Sequence, residues 1–225
     1  MTGDASGTGR ARDWDLRADD LAGEAIAAGE PTAWFERLYA EGEAGTVSMP
    51  WDRDTPQALL LEWTSHRHLR GDGRTAVVVG CGLGADAEHL AALGFTTTAF
   101  DVSPTAVRLA RERHPDSAVD YRVADLLDLP AEWAEAFDLV VEVFTVQALP
   151  DPPRGDAVRA IRRLVASGGT LLAVAFRLTD ADDPDHGPPF CLSYDDVAAF
   201  AGDGLRLVDA EVVDGARWRV ECRRP

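Results

Sequence analysis

From residue 75 onward, five short apolar runs alternate with stretches whose apolar residues recur every three or four positions. The first run, over 76–79, is Ala-Val-Val-Val, continuous rather than alternating and too short for a helix, which predicts a strand covered on both faces. Further strands are expected over 96–100, 119–124, 137–143 and 170–176. A helix fits between the first two, with Leu90, Ala91 and Leu93 on one side and Gly94 as its stop. A second opens on Ser103 as N-cap with Pro104 in its first turn and runs to Arg113. A third, over 154–166, gathers Val158, Ile161, Leu164 and Val165 on one face. Strand and helix in alternation predict an α/β fold around a parallel sheet. After an acidic, proline-rich loop over 179–189 and a short helix over 193–201, two β-rich runs, 205–213 and 216–223, meet through Asp214-Gly215. That dipeptide is a hairpin signal, so the sheet should end in an antiparallel pair.

Before residue 75 the pattern is helical only. An alanine-rich stretch from Asp13 to about Gly29 sets Trp14, Leu21, Ala25 and Ile26 on one side. A second helix over 31–41 opens on Pro31 and ends before Gly42, and a third runs from Pro56 to about Leu69. Residues 1–12 are small and polar and read as a disordered tail. At 225 residues a single domain is expected, with a helical lid layer over 13–70 and a core over 75–225.

The chemistry centres on residues 75–101. The first strand ends in Gly80-Cys81-Gly82-Leu83-Gly84, Asp86 is placed to cap the following helix, and the second strand delivers Asp101 at its C-terminal end. Strand, glycine loop, helix, strand and acid make the nucleotide-binding half of a doubly wound fold. The glycines admit a ligand close to the backbone, and Asp101 can accept hydrogen bonds from both hydroxyls of a ribose. Gly80-x-Gly82-x-x-Ala85 also fits the dinucleotide fingerprint, so this stretch leaves the choice between a dinucleotide and S-adenosylmethionine open.

Charge narrows the field. With 22 basic and 39 acidic residues the formal charge is −17, which repels phosphate backbones and argues against nucleic acid as a partner. Lysine and asparagine are both absent, as GC-rich coding DNA would produce. Cys81, Cys191 and Cys222 stand far apart without a C-x-x-C, so neither a metal site nor a disulfide framework is expected. No apolar run reaches membrane length, and a cytoplasmic protein is expected.

Five strand–helix units closed by an antiparallel hairpin, with acids after both the second and third strands, resemble the class I S-adenosylmethionine-dependent methyltransferases across 75–223. The matching segments are V-V-V-G-C-G-L-G-A-D at 77–86, F-D-V-S at 100–103, A-D-L at 124–126 and F-D-L-V-V-E at 137–142. The resemblance implies a Rossmann-like seven-stranded sheet with helices on both faces, and S-adenosylmethionine as cofactor with S-adenosylhomocysteine as product. It places Gly80, Gly82 and Gly84 under the methionine part and Asp101 on the ribose hydroxyls. Val102 then packs on adenine and Asp125 accepts from its amino group, while Cys81, Leu126, Glu142 and Val143 complete the wall. A Tyr-x-x-x-Lys pair, which would favour an NAD-type oxidoreductase, is missing because there is no lysine. That oxidoreductase and an inactive cofactor-binding module are the remaining alternatives.

Phe35-x-x-x-Tyr39-x-x-Gly42, Pro50-Trp51-Asp52 and Thr55-Pro56 look like the thiopurine and halide/thiol methyltransferase group, which has tryptophans where Phe35 and Tyr39 stand and a shorter spacing from Gly42 to Pro50. Gly187-Pro188-Pro189-Phe190 is similar to the substrate-side segment of that group. The resemblance makes Tyr39 and Trp51 part of a lid over the methionine end. Trp34, Phe144, Val146, Pro188 and Phe190 would wall an acceptor pocket. The expected reaction is in-line methyl transfer to a small molecule, with thiol sulfur as the acceptor atom. The alternative is an O- or N-methyltransferase of a small aromatic metabolite, which needs a base; His186, Asp185 and Glu142 are the candidates. The partner would be that small molecule, with neither nucleic acid nor membrane, and the chain a monomer or homodimer.

Overall fold

The structure is a computed structural model that describes residues 13–47, 49, 51–184 and 186–225, with the backbone alone for 13–15. The expected tail over 1–12, Pro50, Asp185 and the side chain of Trp14 lie outside the described residues. Three helices come first: α1 (Asp13–Ala27), α2 (Ala33–Glu43) and α3 (Ala58–His66). The alternating part follows as β1 (Thr75–Val79), α4 (Ala85–Ala92), β2 (Thr96–Asp101), α5 (Pro104–Arg113), β3 (Asp120–Val123) and β4 (Phe137–Val143). It continues with α6 (Arg154–Leu164), β5 (Val165–Phe176), α7 (Tyr194–Ala198), β6 (Arg206–Val213) and β7 (Arg217–Arg223).

The strands form one seven-stranded sheet in the order β3-β2-β1-β4-β5-β7-β6. The first five run parallel, and β7 enters antiparallel between β5 and β6. This is the expected Rossmann-like seven-stranded sheet, closed by its antiparallel hairpin. Register decides where a ligand can sit. Val79 pairs with both Phe100 and Glu142, so β1, β2 and β4 end together on one rim. Gly80, Asp101 and Val143 follow at that rim, where the strand order reverses beside β1.

Alternation along each strand fills two cores. Val77, Val79, Val140 and Leu171 face α6 through Ala157, Ile161 and Leu164. Ala76, Val78, Val141 and Leu172 face Leu60, Trp63, Leu90 and Val107 on the other side. Each large buried side chain contributes about 1.5–3 kcal/mol, which makes the sheet a rigid platform for its rim. A third cluster, Leu21, Ala22, Trp34 and Leu38, joins α1 to α2. Among the described residues no helix is long and apolar enough to cross a membrane.

Two local expectations are corrected. β5 begins at Val165, directly after α6, because Gly168 (φ +77°) and Gly169 lie within the strand beside a register shift between Phe137 and Leu139. The N-cap of α4 is Gly84, left-handed at φ +94°, and Asp86 sits in the first turn. Its carboxylate accepts from the Gln57 N–H at 2.6 Å instead of capping the helix.

Candidate functional site

A cavity of about 470 Å³ opens above the sheet rim, with helices α1 and α2 on its far side. Gly80 (φ +59°) and Gly82 (φ +53°) form its floor. A Cβ on Gly80 would come within 2.4 Å of the Thr145 hydroxyl, and one on Gly82 within 3.0 Å of the Tyr39 hydroxyl. Both positions combine a left-handed backbone with no room for a side chain, the situation glycine alone accommodates. Tyr39 is buried over Gly82, with the Trp51 ring 6.1 Å away at 59°. Burial, and after it the Asp101 charge, raise the Tyr39 hydroxyl well above its ordinary pKa. Cys81 is raised in the same way, so it is a neutral thiol in the wall and not a nucleophile.

Asp101 ends β2 with its carboxylate buried. Its two oxygens accept from the Gly82 and Ser103 N–H groups, each at 3.0 Å. Burial pushes its pKa up to about 6 against the pull of those donors. Val102, Asp125 and Leu126 follow along the same wall. Asp125 accepts from the Leu127 N–H at 2.9 Å and from the Thr32 hydroxyl at 3.3 Å, which joins the sheet rim to the start of α2. Arg53 and Gln57, which the sequence did not single out, also line the cavity, with the Arg53 guanidinium 3.7 Å from Asp86 beside the glycine loop.

The other end is aromatic. Trp34 and Phe35 stack with centroids 3.9 Å apart, and Phe144 stacks on Phe176 at 4.9 Å and 13°. Leu149, Pro188 and Pro189 complete it. Phe144 is left-handed at φ +62°, an unusual conformation for a bulky residue. The turn around it is clamped. The Phe144 N–H donates to Val174 at 2.9 Å, and the Thr145 hydroxyl to Val79 at 3.1 Å. Glu142 Oε1 accepts from Thr145 N and Val146 N at 2.6 and 2.9 Å.

The structure thus brings Tyr39, Trp51, Gly80, Cys81, Gly82, Gly84, Asp101, Val102, Asp125, Leu126, Val143, Trp34, Phe144 and Pro188 to one cavity. Four expected site residues fall elsewhere. Glu142 is fully buried and turned into the turn that follows it, and Val146 packs in the core beside α6. Phe190 is buried away from the cavity wall, under the Arg154 guanidinium at 5.3 Å. His186 is exposed and does not line the cavity. None of the described residues lining the aromatic end carries a group that titrates near neutrality.

Residues 77–173 match the family model described as a methyltransferase domain. A ubiquinone biosynthesis O-methyltransferase of Xanthomonas axonopodis pv. citri (strain 306) is 38% identical over 156 residues, 65% of this chain and 64% of that protein. The match therefore spans just under two thirds of the relative's length. A solved structure reported under the conversion of a disulfide bond into a thioacetal group during echinomycin biosynthesis superposes with TM-score 0.70 at 25% identity, over 86% of this chain and 91% of that one. The N-methyltransferase NodS of Bradyrhizobium japonicum WM9, in complex with S-adenosylhomocysteine, superposes at 0.63 with 21% identity, over 84% and 98%.

Proposed function

We infer that this chain is an S-adenosylmethionine-dependent methyltransferase whose acceptor is a hydroxyl of a small aromatic molecule. The observation that carries the reading is one cavity in which a side-chain-free glycine floor and two acids run on into an aromatic slot. The residues fit the cofactor. Asp101 accepts from the ribose hydroxyls, Val102 and Leu126 flank the adenine, and Asp125 takes its amino group. Arg53 balances the carboxylate at the methionine end. Tyr39 and Trp51 exclude water there and attract the sulfonium by about 0.5–2 kcal/mol.

Bound S-adenosylmethionine would supply an electrophilic methyl for the acceptor oxygen, with a neutral sulfide as leaving group and the hydroxyl proton released to solvent. The protein's part is alignment and exclusion of water. Phe35, Phe144 and Phe176 hold the acceptor ring, and the α1–α2 layer closes over it as a lid on a single-domain core. Among the described residues the late loop brings no base to the cavity, since His186 is exposed and outside its lining. The O-methyltransferase relatives favour oxygen as the acceptor atom.

A thiol acceptor is the second reading. It is favoured by the base-free slot and by the structural neighbour reported with sulfur chemistry. A thiol with pKa near ~8.5 is ionised a few per cent at neutral pH, and a phenol near ~10 far less. The test is release of S-adenosylhomocysteine with matched aromatic hydroxyl and thiol acceptors. Higher kcat/KM with the hydroxyl compounds is expected. A consistent preference for the thiols overturns the oxygen reading.

A further inference from the structure

Among the described residues the acceptor end of the cavity lacks a base, so an aromatic hydroxyl must reach it ionised or be helped to ionise. Its walls are mostly rings, prolines and aliphatic side chains, and Thr145 and Gln147 are polar side chains among them. The Thr145 hydroxyl is committed to the Val79 carbonyl. Gln147 is different. It is 3% exposed, it lines the cavity, and its Oε1 accepts from the Phe176 N–H at 2.6 Å. A backbone N–H can pair only with the oxygen of a carboxamide, so this bond fixes which way the amide points. The NH₂ is the end left over, and no protein acceptor meets it among the described residues. The Gln147 carbonyl also accepts from Phe190 at 2.7 Å, which ties the residue to the late loop as well as to the end of β5.

We propose that the Gln147 carboxamide N–H receives the acceptor's oxygen as it ionises, a specificity-determining donor that stands in for a general base. This rests on the oxygen-acceptor reading. The Phe176 bond holds this amide at the cavity wall with its N–H groups left to pair with whatever fills the cavity, water or a ligand oxygen. An N–H aimed at an oxygen that gains negative charge favours the charged form and lowers its pKa. The phenolic proton passes to solvent, and Gln147 stabilises the oxyanion left behind. Because the donor is neutral and fixed, it selects a ring bearing an oxygen and gives nothing to the same ring without one.

The experiment uses the full chain saturated with S-adenosylhomocysteine and 4-nitrophenol as probe, whose ionisation is read from visible absorbance. 4-Nitrotoluene, with methyl in place of hydroxyl, is the shape control. Wild type should bind the probe as phenolate with its apparent pKa lowered. Gln147→Leu should weaken phenolate binding ~10-fold or more and leave 4-nitrotoluene affinity unchanged. Gln147→Glu keeps an acceptor for the Phe176 N–H but removes the donor, so there phenolate binding should weaken further as pH rises. Equal losses for both probes would mean a structural role only and overturn the proposal. So would an unshifted probe pKa, or no probe binding by wild type. Turnover of phenols with an unshifted probe removes the Gln147 assignment alone. A bound, ionised probe in an enzyme that methylates only thiols removes the oxygen-acceptor reading alone.

Discussion

Asp101 must be a carboxylate to accept from both ribose hydroxyls with charge-assisted bonds, yet burial raises its pKa to about 6. Below that value the carboxyl is protonated in the apo protein, which turns one oxygen into a donor and removes the charge that strengthens both ribose bonds. Affinity for S-adenosylhomocysteine should fall as pH drops through about 6, and calorimetry across that range checks it. Asp101→Ala should bind at least ~10-fold more weakly with no such pH step. A wild-type affinity flat through the range would remove Asp101 from the site. Gly82 makes the complementary case. A valine there needs both an unfavourable φ and the space held by the Tyr39 hydroxyl, 3.0 Å from the would-be Cβ. Gly82→Val should abolish cofactor binding while far-UV circular dichroism stays native-like, and retained affinity in that variant refutes the role of the loop. Both residues were legible in the sequence, because a glycine loop between a strand and a helix and an acid one strand later are local patterns. Gln147, Arg53 and Phe176 were not, since each reaches the cavity through a turn or a pairing between segments distant in sequence.

At the scale of elements, the turn after β4 shows what a strand pattern cannot resolve. Glu142 read as a strand-end acid facing the site, whereas its carboxylate caps the N–H groups of Thr145 and Val146. A general base at this position would not survive Glu142→Gln, but a cap would, because the amide keeps an acceptor oxygen. Turnover in Glu142→Gln should stay near wild type. Glu142→Ala should cost roughly 2–4 kcal/mol by leaving two buried donors unpaired, measured by denaturant unfolding. Burial raises the Glu142 pKa from 4.5 to about 7, so its contribution to stability is fully present below 4.5 and is lost as pH rises through about 7. The stability of Glu142→Gln relative to wild type should therefore increase over that window. A constant difference would mean that Glu142 does not titrate there. The lid is held on a polar seam. Glu36 on α2 accepts from Ser103 Oγ at 2.5 Å and from Thr105 Oγ1 and N at 2.7 and 3.1 Å. Burial opposes its charge, but these bonds outweigh it and hold the pKa below the ordinary value. Glu36→Ala should loosen the lid and speed cofactor release in stopped-flow experiments, with the core's thermal transition kept. An unchanged release rate would make the layer packing only. Helix ends were read within a few residues, while β5 was cut short because paired glycines signal a turn more often than a bulge.

For the whole molecule, the order of elements was legible from the alternation of apolar runs, whereas the acceptor was not, because its slot is assembled from the lid, the β4 turn, the end of β5 and the late loop. The formal charge of −17 acts on top of that geometry. S-Adenosylmethionine carries a net positive charge, and S-adenosylhomocysteine is a neutral zwitterion. A cleft in an acidic protein concentrates the cation and leaves the zwitterion nearly unaffected. Carboxylates close to the cavity, Asp86, Asp101 and Asp125, point the field the same way. The Debye length shrinks from about 30 Å at 0.01 M salt to about 8 Å at physiological ionic strength, so only the long-range part of this attraction is screened. Affinity for S-adenosylmethionine should therefore weaken with added salt, and that for S-adenosylhomocysteine should change little. The salt dependence of the ratio of the two dissociation constants, measured by calorimetry in one buffer series, reports the field, since the ring–sulfonium and methyl contacts that also separate the ligands are short-range and little screened. A ratio independent of salt would show that the negative surface plays no part in drawing the methyl donor to its site.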